Sequence, residues 1–174
     1  KEYRLIISCN SNKLYNYDKN GDQVQGWNLF NLKSHITDKL HHFTVGGKDY
    51  ILGKDILGNV YLLNRRGELR YKINVKCVSR KNSDYVVKKG GNIEDSKLFF
   101  IDTSGLINSF SFGGEMVQNV LDSNHKKLNS NIKLIDIDND NLIDYLVGYN
   151  NNIEVYGPDN KRSFIEDFEF KLDN

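Results

Sequence analysis

The chain has 174 residues, which is long enough to bury a hydrophobic core within a single domain. Its 24 basic and 23 acidic side chains leave a net charge of +1, and this balance argues against binding to nucleic acid or to an anionic membrane surface. The mean hydropathy is −0.58, and no apolar run approaches the roughly 20 residues that a membrane-spanning helix needs.

Four strand–turn–strand segments recur along the chain, each with a turn residue at the equivalent position. The segments are 13–25, 59–71, 106–118 and 153–164, and the turn residues are Gly21, Gly67, Gly114 and Asn160. Successive turn residues are 46 or 47 positions apart. A period in the forties that consists only of strands is typical of β-propeller blades.

Further strands precede these segments. Apolar residues in them follow the two-residue period of β-strands rather than the 3.6-residue period of helices. One strand lies directly before each segment, at 4–8, 50–54, 98–102 and 145–149, and three units have an innermost strand before that, at 41–45, 83–87 and 131–137. The sequence therefore predicts an all-β, propeller-like array of four-stranded antiparallel blades in one domain, with repeat units of approximately 1–30, 41–75, 83–121 and 131–170.

The first unit has no innermost strand, so the sequence predicts about three and three-quarter blades. Three interpretations remain open. The favoured one is that the chain is part of a larger propeller of 4–8 blades. Alternatively, residues 164–172 fold back and supply the missing strand, which closes a four-bladed ring. In the third interpretation the array stays open and its blade edges pair between chains, because unpaired strand edges attract partners.

One unit contains an acidic array that the other units lack. Within residues 135–148 the spacing D-x-D-x-D-x-x-x-D places Asp136, Asp138, Asp140 and Asp144. Alternate carboxylates on a tight loop can point at one hard cation, with the backbone carbonyl of Leu142 as a further ligand. Ca²⁺ takes 6–8 oxygen ligands in flexible geometry, and a bound cation offsets the repulsion between carboxylates. We predict one structural calcium site here; the alternative is a solvated acidic turn without metal.

Residues 136–148 resemble the calcium-binding loop of FG-GAP and VCBS-type propeller repeats. The resemblance implies that the four aspartates and the Leu142 carbonyl are calcium ligands. Asn141 stands where the family often has glycine, and asparagine tolerates the left-handed backbone conformation better than other non-glycine residues. Residues 17–27, which end in Trp27, also resemble PQQ-like propeller repeats. Taken together, the repeats are similar to those of uncharacterised bacterial envelope proteins.

The sequence contains no G-x-S-x-G, H-E-x-x-H or phosphate-binding loop. We therefore predict a non-catalytic binding or scaffold module of a larger bacterial protein located in the periplasm, in the cell envelope or outside the cell. Its blade loops would bind a protein or glycan partner, and open blade edges would allow self-association. Neither nucleic-acid binding nor membrane insertion is expected. The alternative is a fragment of a carbohydrate-active or quinone-dependent propeller enzyme whose catalytic residues lie outside these 174 residues.

Overall fold

The computed structural model describes residues 3–79, 85–119, 132–140, 142, 144–149, 152–159, 161 and 168–169. This part of the chain consists of β-strands, turns and irregular segments, which confirms the prediction of an all-β fold. Among the described residues there is no helix with the length and apolar character that a membrane span requires.

The strands form antiparallel sheets. The first sheet contains β1 (Leu5–Cys9) and β2 (Lys13–Tyr17). The second contains β3 (His41–Val45), β4 (Lys48–Lys54), β5 (Asn59–Leu63) and β6 (Leu69–Lys76). The third contains β7 (Val86–Lys88), β8 (Lys97–Ile101), β9 (Ile107–Ser111) and β10 (Met116–Asn119), and the fourth contains β11 (Ile132–Ile135), β12 (Asp144–Tyr149), β13 (Asn152–Tyr156) and β14 (Phe168–Glu169). Neighbours in sequence are neighbours in each sheet, as the predicted meander requires, and the last three sheets have the predicted four strands. The predicted strand after Gly21 is not formed: that part of the first unit is reduced to an isolated bridge between Tyr17 and Gln23.

The last strand, β14, pairs with β13 of the fourth sheet and not with the first sheet, which lacks an innermost strand. In β14, Phe168 lies opposite Ile153 and Glu169 lies opposite Asn152. These two residues therefore complete the fourth sheet. For Phe168 and Glu169, the interpretation in which residues 164–172 supply a strand to the first sheet is therefore wrong. The other residues of that segment lie outside the described part of the chain, as does Asn160 of the fourth turn.

Four of the hairpin turns share one local hydrogen-bonding arrangement. In the first turn, Asp18 Oδ1 accepts the backbone N–H groups of Asn20 and Asp22 at 2.8 and 3.1 Å. The same pair of bonds forms at the turns that begin with Asp55, Asn64 and Asp102. Three positions after each of these residues a glycine has positive φ, namely Gly21, Gly58, Gly67 and Gly105. The short pattern Asp/Asn-x-x-Gly is therefore sufficient to specify these turns.

Packing divides the chain into two compact units, Lys1–Val78 with Gly91–Ile93 and Ser79–Gly90 with Glu94–Asn174. The core of the first unit contains Leu14, Trp27, Leu32, Ile36, Ile51, Tyr61 and Leu63. The core of the second contains Phe99, Ile101, Ile107, Ile132, Tyr145, Val147 and Tyr156. Trp27 is the only tryptophan in the chain, and its indole N–H donates to the carbonyl of Leu14 at 2.9 Å, which satisfies its single polar group in the core.

Candidate functional site

The predicted acidic loop connects β11 to β12 in the second unit. Ile135 and Asp144 are paired across the two strands, so β11 ends earlier than the predicted strand 131–137 and the loop begins at Asp136. Asp136 is half-buried, Asp138 is exposed, and Asp144 is buried with 5% of its surface exposed. Asn139 has a φ of 60°, which turns the backbone at the centre of the loop.

Three of the four predicted aspartates lie together. One carboxylate oxygen each from Asp136, Asp138 and Asp144 lies within 4.8 Å of the other two. Oxygens that bind one Ca²⁺ at about 2.4 Å cannot be more than about 4.8 Å apart, so this spacing fits a shared ion. Asp140 does not belong to the group, and its Oδ1 accepts the N–H of Leu142 at 2.7 Å. The metal-binding role of the Leu142 carbonyl stays a prediction.

Hydrogen bonds from the loop backbone orient two of the clustered carboxylates. Asp144 Oδ2 accepts the N–H of Ile137 at 2.9 Å. Asp138 Oδ1 accepts the N–H of Asp140 at 3.2 Å. An ionised carboxylate has about four lone-pair sites, so one such bond does not prevent it from binding a cation.

A basic surface that the sequence reasoning did not identify lies on the second sheet. The loop between β3 and β4 and the turn between β5 and β6 border a cavity of about 340 Å³. Its exposed basic side chains are Lys48, Arg65, Arg66 and Arg70, and its acidic side chains are Asp49 and Glu68. We call this region the basic turn surface. The run RRGELR (65–70) indicates a basic surface in the sequence. Lys48 lies beside this run only because β4 pairs with β5.

Asp49 connects the two turns of this surface. Arg65 Nε lies 2.7 Å from Asp49 Oδ2, and His42 Nε2 lies 2.9 Å from Asp49 Oδ1. Burial opposes ionisation of Asp49, but the hydrogen bonds from His42 and Thr44 and the charge of Arg65 outweigh it, so the pKa of Asp49 is lowered. The carboxylate is therefore ionised at neutral pH and holds Arg65 in place.

The turn that carries Arg65 and Arg66 is also anchored to the core of the first unit. The carbonyl of Arg66 accepts the N–H of Asn28 at 2.7 Å, and Gly67 packs against Trp27. The guanidinium carbon of Arg70 lies 5.4 Å from the centre of the Tyr50 ring, within the range of a cation–π contact. Arg65 and Arg66 therefore extend from an anchored turn, which reduces the entropy lost when they bind a partner.

No protein-family profile and no curated protein sequence matches the chain. Among solved structures, it is similar to the β-propeller domain BBS1N in a crystal structure of BBS1N in complex with ARL6DN, soaked with mercury. The two chains have 15% sequence identity and a TM-score of 0.60, and the match covers 92% of this chain and 48% of BBS1N. This chain therefore spans about half the length of BBS1N. The likeness confirms the fold that the repeat period predicted: the chain has a β-propeller fold, and its sheets are propeller blades.

Proposed function

We propose that this chain is a non-catalytic binding module whose basic turn surface contacts an acidic patch on a protein partner. The observation that carries the proposal is the cluster of Lys48, Arg65, Arg66 and Arg70 around one cavity, at the start of β4, in the β5–β6 turn and at the start of β6. Arginine is enriched at protein interfaces and can bind carboxylates through two parallel hydrogen bonds. Charge complementarity of this kind speeds association and selects the partner. The complex of BBS1N with ARL6DN supports a binding role for this type of propeller.

The test is site-specific photo-crosslinking in an extract of the cells that naturally make the protein. Benzoylphenylalanine replaces Arg66, and in a control chain it replaces Asn20, which lies at an exposed turn with the same hydrogen-bonding pattern. We expect one discrete protein adduct from position 66 and none from position 20. Excess wild-type chain should suppress that adduct, whereas Lys48→Glu/Arg70→Glu should compete about tenfold more weakly, because reversed charges repel an acidic partner.

Two results would contradict the binding proposal. One is the same set of adducts from both positions, or equal competition by the double variant, since either would show that the basic side chains do not select the partner. The other is loss of the adduct after nuclease treatment, which would identify a nucleic acid as the bound species.

We further propose that Asp136, Asp138 and Asp144 hold one calcium ion with a structural role. The mutual spacing of their carboxylate oxygens supports this. The ion would bind both ends of the β11–β12 loop, because Asp136 follows β11 and Asp144 begins β12. It would also offset the repulsion between three neighbouring carboxylates.

Calcium is expected to stabilise chelator-treated protein. A ligand at about 100 times its dissociation constant adds about 2.7 kcal/mol to the free energy of unfolding, which raises the melting temperature by roughly 5 °C or more in a chain of this size. Differential scanning calorimetry with and without calcium measures the rise. Asp138→Asn should abolish it, and the control Asp140→Asn should retain it, because Asp140 lies outside the cluster. No rise in the wild-type protein would exclude the site.

A further inference from the structure

The charges around the cavity of the basic turn surface do not cancel. Four basic and two acidic side chains border it, which leaves a net charge of +2 when all of them are ionised. One acidic side chain, Asp49, pairs with Arg65. The other, Glu68, accepts the side-chain amide N–H of Asn64 at 2.8 Å. The cavity therefore keeps a positive excess that the described side chains do not neutralise.

Three of the basic side chains form no ion pair with the residues that the structure describes, namely Lys48, Arg66 and Arg70. Arg70 lies over the ring of Tyr50, and this contact with the face of its guanidinium leaves N–H donors at the edges available. The three belong to the start of β4, the β5–β6 turn and the start of β6. Pairing of β4 with β5 and of β5 with β6 brings them to one cavity.

A phosphate group on a side chain has the chemistry that complements this cavity. It carries a charge of about −1.5 to −2 at pH 7 and three strong acceptor oxygens. Its charge matches the positive excess, and its three oxygens match the three cations. A single carboxylate carries one charge and two oxygens, so it would leave part of the excess without a partner.

We propose that the partner of the basic turn surface is phosphorylated, and that Lys48, Arg66 and Arg70 bind the phosphate group of one of its side chains. Arg65 stays paired with Asp49 at the border of this site. Clusters of arginine recognise phosphorylated motifs in this way. Removal of the phosphate takes away up to two negative charges, so association depends on the phosphorylation state of the partner. The inference rests on the proposed binding function and names the chemistry of its partner.

The first experiment measures the affinity for the phosphate group itself. The probe is N-acetyl-O-phosphoserine amide, and the comparison is the amide of N-acetylglutamic acid, which carries a carboxylate instead. Backbone amide NMR signals of residues 46–49 and 64–70 follow the titration of the wild-type chain. We expect saturable shifts in these residues with the phosphate probe and about tenfold weaker binding of the carboxylate probe, because the phosphate forms additional charge-assisted hydrogen bonds.

Two charge-matched variants locate the binding of the phosphate probe. Arg66→Gln should weaken it about fivefold, because an exposed ion pair contributes up to about 1 kcal/mol. Lys72→Gln removes one positive charge from an exposed position of β6 that does not border the cavity, and it should bind the probe as the wild type does. Equal binding of the two probes, or equal losses in the two variants, would overturn the proposal, since either would show attraction by net charge alone.

The second experiment tests the partner. Benzoylphenylalanine replaces Glu68, which borders the cavity, so all four basic side chains remain. An extract of the cells that naturally make the protein is treated with a protein phosphatase or, as the control, with the same phosphatase and its inhibitor. We expect a discrete protein adduct in the control extract and its loss from the phosphatase-treated extract.

The possible outcomes separate this inference from the proposed function. An adduct that persists after phosphatase treatment would contradict the phosphate site, whereas the acidic protein partner would stand. Absence of an adduct from both position 66 and position 68 would contradict the proposed function and this inference with it. Binding of the chain to vesicles that contain phosphatidylinositol 4-phosphate, with loss of that binding in Arg66→Gln, would place the phosphate on a lipid and would also overturn the proposal.

Discussion

Replacement of Asp55 with alanine is expected to lower the free energy of unfolding of the first unit by about 3 kcal/mol or more. Asp55 is 1% exposed. Its carboxylate accepts the N–H groups of Leu57 and Asn59 at 3.0 and 2.8 Å, the side-chain amide of Asn59 at 2.8 Å and the hydroxyl of Tyr61 at 2.8 Å. Alanine would leave several buried donors without an acceptor, and each such group costs about 1–3 kcal/mol.

Tyr61 extends this network into the core. Its hydroxyl donates to Asp55 and accepts the N–H of Lys33 at 2.9 Å. Burial raises the pKa of Tyr61 to about 12, and the hydrogen bond to Asp55 and its charge add to the rise. The hydroxyl is therefore a neutral donor at pH 7, and loss of Asp55 removes its acceptor.

The matched control for Asp55→Ala is Asp18→Ala. Asp18 makes the same two backbone hydrogen bonds in an exposed turn, where water can replace the lost acceptor, so about 1 kcal/mol is expected. Urea unfolding followed by the fluorescence of Trp27, which lies in the first unit, measures both variants. Equal losses would contradict the buried network as the origin of the difference.

Replacement of Gly67 with alanine is expected to destabilise the first unit by about 2–4 kcal/mol. Gly67 has a φ of 74°, and a Cβ atom there would lie 2.6 Å from the backbone oxygen of Asn28 and 3.0 Å from the Trp27 ring. The backbone cannot easily move away, because Asn28 donates its N–H to the carbonyl of Arg66. Strain in the left-handed region therefore adds to a steric clash with the core.

Gly21→Ala is the matched control for Gly67→Ala. Gly21 has a φ of 87° at the equivalent repeat position, but a Cβ atom there would meet no atom of the described residues within 4 Å. Gly21→Ala should therefore lower the free energy of unfolding only by the cost of holding alanine in the left-handed conformation, about 1 kcal/mol. Thermal unfolding monitored by Trp27 fluorescence compares the two variants, and a Gly21→Ala loss as large as that of Gly67→Ala would show that the clash is not the cause.

The acidic loop shows how far sequence reasoning extends at a candidate site. The spacing of the aspartates correctly located a loop between two strands, because alternation along a chain is a local property. It did not reveal that Asp136, Asp138 and Asp144 converge while Asp140 bonds to Leu142. That outcome depends on the left-handed conformation of Asn139 and on the start of β12 at Asp144, which is set by its pairing with Ile135.

The basic turn surface depends even more on the fold. Lys48 and Arg65 are 17 positions apart in sequence, and they border one cavity because β4 pairs with β5. The net charge of the whole chain does not reveal this surface, since the first unit carries thirteen basic and seven acidic side chains and the second carries eleven basic and sixteen acidic.

By itself, the sequence determined most of the strands, their order within each blade and several of the turns between them; the predicted strand after Gly21 is reduced to an isolated bridge. Each turn depends on hydrogen bonds that span at most four residues, such as those of Asp18 with Asn20 and Asp22, so a short pattern specifies it. The tertiary structure alone decided that Asp55 is buried while Asp18 is accessible to water, and that a Cβ atom would clash with Trp27 at Gly67 but with no described atom at Gly21. These differences arise from packing between residues distant in sequence, and turns that share the same local pattern do not encode them.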